Sequence, residues 1–151
     1  MAFFDTNVLV YCTAGTDLAK QARARSLVAE HASAGEAVIS TQVLIELFHT
    51  LTRKQKIAPA LAQSLLLGFA EWPVISSDAA LVRAAIDKSM QWQLSIWDAM
   101  VVEAALRSGA PTLFTEDLNA GQRFGGLTVV NPFQRPCAAS GTSQTSLRDA
   151  A

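Results

Sequence analysis

The chain has 151 residues, which is enough for one domain with a buried core. Hydrophobic residues make up 50% of it and charged residues 17%, a composition typical of a globular protein and far from that of a disordered one. The net charge of −1 excludes a global basic field, so tight charge-driven binding to nucleic acid is not implied. Any nucleic-acid contact would need a local basic patch or a bridging metal ion.

The cysteines, the N-terminal residues and the lengths of the apolar runs indicate where in the cell the protein is expected. Cys12 and Cys137 are far apart and share no CxxC spacing, which argues against a zinc site or a disulfide framework and fits a reducing compartment. An acid at position 5 and the lack of a basic segment before it argue against a signal peptide. No uncharged apolar run reaches the roughly 18 residues of a membrane span. We therefore expect a soluble, cytoplasmic protein.

Short apolar runs alternate with helical segments along the chain. Strands are predicted over residues 2–5, 37–40, 73–76, 112–115 and 127–130. Helices are predicted over residues 17–34, 41–54, 59–70, 78–90 and 96–108. Continuous apolar strands between helices indicate an α/β domain whose parallel sheet is covered on both faces. The domain is predicted to span residues 1–134, because residues 135–151 have almost no large apolar side chains and are typical of a disordered tail.

Several acids follow the predicted strands. In "PTLFTEDLNAG", Glu116 and Asp117 come directly after the fourth strand, and Asp5 ends the first. Asp98 lies in the first turn of the helix before the fourth strand, and Glu46 lies in the helix after the second. The carboxyl ends of parallel strands share one edge with the N-termini of the following helices, and ligands bind at that edge. These acids are therefore expected to gather near one edge of the sheet.

Two interpretations stay open for Asp98. Glu103 and Arg107 form an i, i+4 pair that is expected to mark the solvent side of their helix. Asp98 points away from that pair, beside apolar residues, and an acid off the wet face needs a partner. It is either part of a site or a first-turn acid favoured by the helix dipole.

Glu46 also has two interpretations. It belongs to a polar stripe on its helix, together with Gln42, His49, Thr50 and Arg53. Periodicity alone favours a solvated face. In the functional interpretation the stripe lines a groove, Glu46 reaches a metal ion, and Arg53 or Lys54 reaches phosphate.

Converging carboxylates have a definite chemistry. They raise one another's pKa values unless a cation sits among them, and an all-oxygen ligand set suits Mg²⁺ or Mn²⁺. A water on such a metal can attack phosphorus, so nuclease chemistry is expected. The chain has no GxxxxGK[ST], GxGxxG or GxSxG motif. Base stacking is open to Trp72, Trp92 and Trp97, although such residues more often belong to a core or an interface.

Four segments occur in order along the chain: "FFDTNVLVY", "STQVLIELFHTLTRK", "SIWDAMVVEAALRSGAPTLFTEDLNAG" and "VVNPF". Together they resemble the PIN domain, in particular the VapC-like toxins of bacterial toxin–antitoxin pairs. The resemblance covers residues 2–133 and implies a three-layer α/β/α sandwich with a central five-stranded parallel sheet. It also implies a homodimer and a small antitoxin partner that blocks the site.

The resemblance further implies an endoribonuclease in which four acids bind Mg²⁺ or Mn²⁺ and activate water: Asp5, Glu46, Asp98 and Asp117. Thr6, Asn7 and Thr115 match positions that hydrogen-bond to these acids, and Glu116 matches an additional acid near the metal.

Two other hypotheses compete with this one. A non-catalytic RNA-binding or scaffold PIN domain would bind RNA without metal. A phosphotransfer domain would need a second Asp two residues after its nucleophile and a Lys beyond the fourth strand. The chain has Asn7 at the first of these positions and no Lys after Lys88, which disfavours phosphotransfer.

Overall fold

A six-stranded sheet runs through residues 1–134, the part of the chain that the computed structural model describes. Its strands are β1 (Ala2–Phe4), β2 (Ala37–Ser40), β3 (Val74–Ile75), β4 (Thr112–Phe114), β5 (Arg123–Phe124) and β6 (Leu127–Val130). The order across the sheet is β3-β2-β1-β4-β6-β5. The pairs β3–β2, β2–β1, β1–β4 and β4–β6 are parallel, and β5 is antiparallel to β6. The tail predicted over residues 135–151 lies outside the described residues.

Six α-helices connect and cover these strands within the described residues. They are α1 (Thr6–Ala14), α2 (Leu18–Ser33), α3 (Thr41–His49), α4 (Pro59–Ala70), α5 (Ala79–Trp92) and α6 (Ile96–Ser108). A π-helical segment, Thr50–Lys54, continues α3. Most helices are capped at the N-terminus by a side-chain oxygen that accepts a hydrogen bond from a backbone N–H. The capping residues are Asp5, Asp17, Ser40, Asp78 and Ser95. No helix of this part of the chain combines the length and apolar character that a bilayer span requires.

The central strands are buried on both faces of the sheet. Phe3 and Phe4 are adjacent in β1, so their side chains point to opposite faces, and both are fully buried. Val38 and Ile39 behave in the same way in β2. Both faces are therefore covered, as expected for an α/β/α sandwich.

The five predicted parallel strands are confirmed, and two elements were not anticipated. No residue of α1 is exposed, so its apolar run lacks the one-sided pattern by which a surface helix is recognised. The strand β5 is only two residues long and adds an antiparallel edge to the predicted five-stranded sheet. Gly125 has φ +60°, and with Gly126 it closes the two-residue turn between β5 and β6.

The expectation that Glu103 marks the solvent side of α6 is wrong. Its side chain is buried because α5 packs against that face of α6 and supplies Lys88, whose Nζ lies 2.6 Å from Glu103 Oε2. Arg107 Nε donates to Glu103 Oε1 at 2.8 Å, so the predicted i, i+4 pair does form. Burial acts to raise the pKa of Glu103, but the hydrogen bonds from Lys88 and Arg107 outweigh it and lower that pKa.

Candidate metal centre

Asp5 is the hub of a polar network at the carboxyl end of β1. Its backbone is extended and its side chain caps α1, with Oδ1 accepting from the Thr6 N–H at 2.7 Å. Its Oδ2 accepts from Thr115 Oγ1 at 2.7 Å and from Asn7 Nδ2 at 3.1 Å. Asp5 is only 7% exposed. The side chain thus joins β1 to the residue that follows β4, the neighbouring strand.

The ionisation of Asp5 is strongly perturbed. Burial raises its pKa from the ordinary 3.8 to about 7, although hydrogen bonds from Thr115 and Thr6 oppose that rise. The nearby carboxylates of Asp117 and Glu46 raise it further. A buried carboxyl group with two acidic neighbours favours either a proton or a cation.

The segment after β4 brings Asp117 to this hub. Asn7 Nδ2 lies 2.9 Å from Asp117 Oδ2 and 3.0 Å from Thr115 Oγ1. The Asp117 N–H also donates to Thr115 Oγ1, at 3.1 Å. One amide nitrogen is therefore within hydrogen-bond distance of Asp5, Thr115 and Asp117, and it holds the two carboxylates near each other.

Glu46 reaches the same region from α3. Thr6 Oγ1 donates to its Oε2 at 3.0 Å, and Gln42 Nε2 donates to its Oε1 at 2.8 Å. Glu46 is half-buried and lines a groove together with His49 and Thr50 of its stripe, whereas Gln42 is buried and Arg53 lies outside this groove. Of the two interpretations of this residue, the structure supports the groove.

Asp98 stands apart from the other three acids. It lies in the first turn of α6, and its Oδ2 accepts from Ser95 Oγ at 2.7 Å. An indirect connection runs through Gln42, whose Nε2 bonds to Glu46 and lies 3.3 Å from the carbonyl oxygen of Trp97. Among residues 1–134, no three His, Cys, Asp or Glu side chains converge closely enough to enclose a metal ion.

Glu116 lines the groove, but its carboxylate has a partner. Lys20 Nζ lies 2.7 Å from Glu116 Oε2 and donates to Tyr11 Oη at 3.0 Å. The ammonium group also lies over the rings of Tyr11 and Phe133. Hydrogen bonds to Glu116 and Tyr11 raise the pKa of Lys20, so it stays charged. Sequence reasoning missed Lys20, because nothing in the spacing connects it with a residue 96 positions away.

Glu46, Glu116 and Asp117 line a groove with a volume of about 830 Å³, within the range of pockets that enclose organic ligands, whereas Asp5 and Asp98 are not among its lining residues. Its walls come from α1, α3, the start of α6 and the segment after β4, and include Glu46, Asp117 and Trp97. Of the two predicted phosphate contacts, Lys54 lines this groove. Arg53 lines a neighbouring, smaller depression instead.

The donor chemistry fits a hard divalent cation. The acids supply only oxygen ligands, and the open groove leaves room for the waters that Mg²⁺ retains. The molecule is thus an α/β protein with two linked carboxylates, Asp5 and Asp117, and a groove at the carboxyl edge of its parallel sheet. The sequence profile of the PIN domain matches residues 2–123, and the chain belongs to the PIN domain family.

Solved structures with the same fold come from several bacteria. The chain superposes on a toxin–antitoxin complex from Klebsiella pneumoniae with a TM-score of 0.67 and 18% identity, covering 89% of this chain and 100% of that one. For VapC20 from Mycobacterium tuberculosis, described as a sarcin-ricin loop cleaving toxin, the TM-score is 0.60 and the identity 21%. That superposition covers 78% of this chain and 92% of VapC20. For DNA-bound VapBC from Salmonella typhimurium the values are 0.58 and 18%, covering 85% and 95%. No curated protein matches the chain by sequence.

Proposed function

We propose that this chain is a metal-dependent endoribonuclease and the toxin of a toxin–antitoxin pair. The observation that carries the proposal is the network in which Asn7 and Thr115 hold the carboxylates of Asp5 and Asp117 beside the groove. The PIN fold and its likeness to a toxin described as cleaving the sarcin-ricin loop support the same activity.

Four acids are proposed to hold Mg²⁺, or Mn²⁺ in its place: Asp5, Glu46, Asp98 and Asp117. The cation would supply a water of lowered pKa and neutralise charge on the scissile phosphate. Thr6 positions Glu46 through its hydroxyl, while Thr115 and Asn7 position Asp5. Asp98 is included because Gln42 hydrogen-bonds both to Glu46 and to the backbone carbonyl of Trp97, the residue directly before Asp98.

Other residues have proposed roles around this centre. Glu116 is an additional acid near the metal, and its bond to Lys20 anchors the segment that carries Asp117. Lys54 is a contact for RNA phosphate within the groove, and Arg53 extends that contact outside it.

The proposed partners follow from the same assignment. The substrate is RNA, and the activity is cytoplasmic. A small antitoxin is proposed to block the groove, in line with the toxin–antitoxin and VapBC complexes that share the fold. The chain is further proposed to form a homodimer.

The test is cleavage of a panel of labelled RNAs by purified protein with Mg²⁺, Mn²⁺ or EDTA. Asp5→Asn and Asp98→Asn are expected to abolish metal-dependent cleavage. Asp87→Asn is the matched control, because Asp87 is an exposed acid of α5 and should leave activity unchanged. RNA binding without cleavage, unaffected by metal or by Asp98→Asn, would instead favour a non-catalytic RNA-binding PIN domain.

A further inference from the structure

The three tryptophans have different surroundings. Trp72 is half-buried and packs against Phe69, with ring centroids 5.0 Å apart, and Trp92 packs against Phe124 at 4.7 Å. Trp97 is 62% exposed and stacks on no aromatic ring in residues 1–134. Its indole therefore contributes little to the core and presents a large flat apolar surface.

The position of Trp97 is fixed relative to the acids. It lies in the first turn of α6, directly before Asp98, and lines the groove with Glu46 and Asp117. Gln42 is buried, and its amide nitrogen bonds both to Glu46 and to the main-chain carbonyl of Trp97. The start of α6 is thereby tied to α3, so the backbone that carries the indole is held beside the candidate metal centre.

The groove presents three chemistries that a nucleotide chain needs. Lys54 offers a cation for phosphate, Glu46 and Asp117 form the acidic part, and Trp97 offers an aromatic face. Nucleobases stack on exposed aromatic rings whatever their identity, because every base has a π-face. A base inside a duplex already stacks on its neighbours, so only an unpaired base is available to such a ring.

We propose that Trp97 binds an unpaired base of the RNA, next to the phosphate that enters the acidic centre. This rests on the proposed function for the identity of the reacting phosphate. It makes Trp97 a determinant of where in the RNA the protein binds.

The first test is RNA binding, which does not require cleavage. Fluorescence anisotropy of a labelled hairpin with a single-stranded loop is measured in EDTA, and with Mg²⁺ in Asp98→Asn. Trp97→Leu, which keeps apolar bulk but removes the ring, should weaken binding by about fivefold to one hundredfold. Trp97→Phe should stay within a few-fold of wild type. Met90→Ala is the control, because Met90 is 70% exposed on α5, away from the groove.

The second test identifies the stacked base. Single abasic sites are introduced at each loop position in turn. One abasic site should weaken wild-type binding as much as Trp97→Leu does, and it should produce no further loss in that variant. A structural role for Trp97 would instead give additive losses at every position.

The outcomes separate this inference from the proposed function. Unchanged binding by Trp97→Leu, additive losses throughout, or a wild-type protein that binds no RNA would overturn it. A change in oligomeric state with RNA binding intact would assign the indole to a protein contact and also overturn it. Trp97-dependent binding without any metal-dependent cleavage would refute the nuclease and leave the base contact standing.

Discussion

The buried carboxyl of Asp5 should make metal binding depend on pH near neutrality. Its pKa of about 7 means that a proton and a divalent cation compete for the same group. Raising the pH removes the proton, so metal affinity should rise through the neutral range. Asp5→Asn should lose both the metal and this dependence on pH.

The size of the effect follows from that pKa. At about pH 6 roughly one molecule in eleven has Asp5 ionised, and at about pH 8 roughly ten in eleven. The apparent dissociation constant for Mn²⁺ should therefore fall about tenfold between these values, or about 1.4 kcal/mol. Without metal, the folded protein holds the Asp5 proton more tightly than the unfolded chain does, and this difference stabilises the fold. The stabilisation is fully present below pH 3.8, the ordinary pKa, and is lost as the pH rises through about 7.

Isothermal titration calorimetry of Mn²⁺ tests this directly. Titrations in two buffers with different ionisation enthalpies count the protons released, which should be nearly one at about pH 6 and about a tenth at about pH 8. Asp87→Asn should behave as wild type. An affinity that does not change with pH, with no proton release, would show that Asp5 is already ionised or lies outside the metal site.

Variants at three further places test particular contacts. Thr6→Val removes the hydroxyl that donates to Glu46 and should weaken Mn²⁺ binding about tenfold, whereas Thr6→Ser should restore it; equal affinities in calorimetry would argue against this role. Glu103→Gln should lower the free energy of unfolding in urea at pH 7 by about 2 kcal/mol. The reason is that the hydrogen bonds from Lys88 and Arg107 to this buried side chain lose their negatively charged acceptor. The lowered pKa predicts that this difference disappears as the pH falls below 4.5, and a difference that persists would contradict it. Lys20→Met and Glu116→Gln should show a coupling energy of about 0.5–1 kcal/mol in a double-mutant cycle of unfolding, and simple additivity would mean that the bridge does not stabilise the fold.

Most of the fold could be predicted because its strands and helices are marked by residues close together in sequence. The parallel strands are apolar runs with turn or capping residues beside them, and Ser95 and Gly109 bound α6 where the sequence indicates. The helix α1 escaped prediction because none of its residues is exposed, so its apolar residues do not follow the one-sided pattern of a surface helix. The strand β5 is too short for a pattern, although Gly125-Gly126 is a recognisable hairpin signal.

The candidate site was predictable only as far as topology reaches. Asp5 and Asp117 meet because β1 and β4 are parallel neighbours whose carboxyl ends share an edge. The roles of Gln42 and Lys20 depend on side-chain directions between elements far apart in sequence, which no local pattern records. Glu103 shows the same gap, because periodicity gives the face of a helix but not the neighbour that covers it. The metal ligands remain a prediction.

The order of the strands has a consequence for the newly made chain. The strand β1 comes first in the sequence but lies in the interior of the sheet, and its partner β4 is made much later. Asp5 meets Thr115 only after a further 110 residues have been added. Such long-range parallel pairing forms late, since the chain must close a large loop first. For the proposed nuclease, a partly synthesised chain would therefore carry no assembled acidic centre, and synthesis of nearly the whole domain would precede any activity.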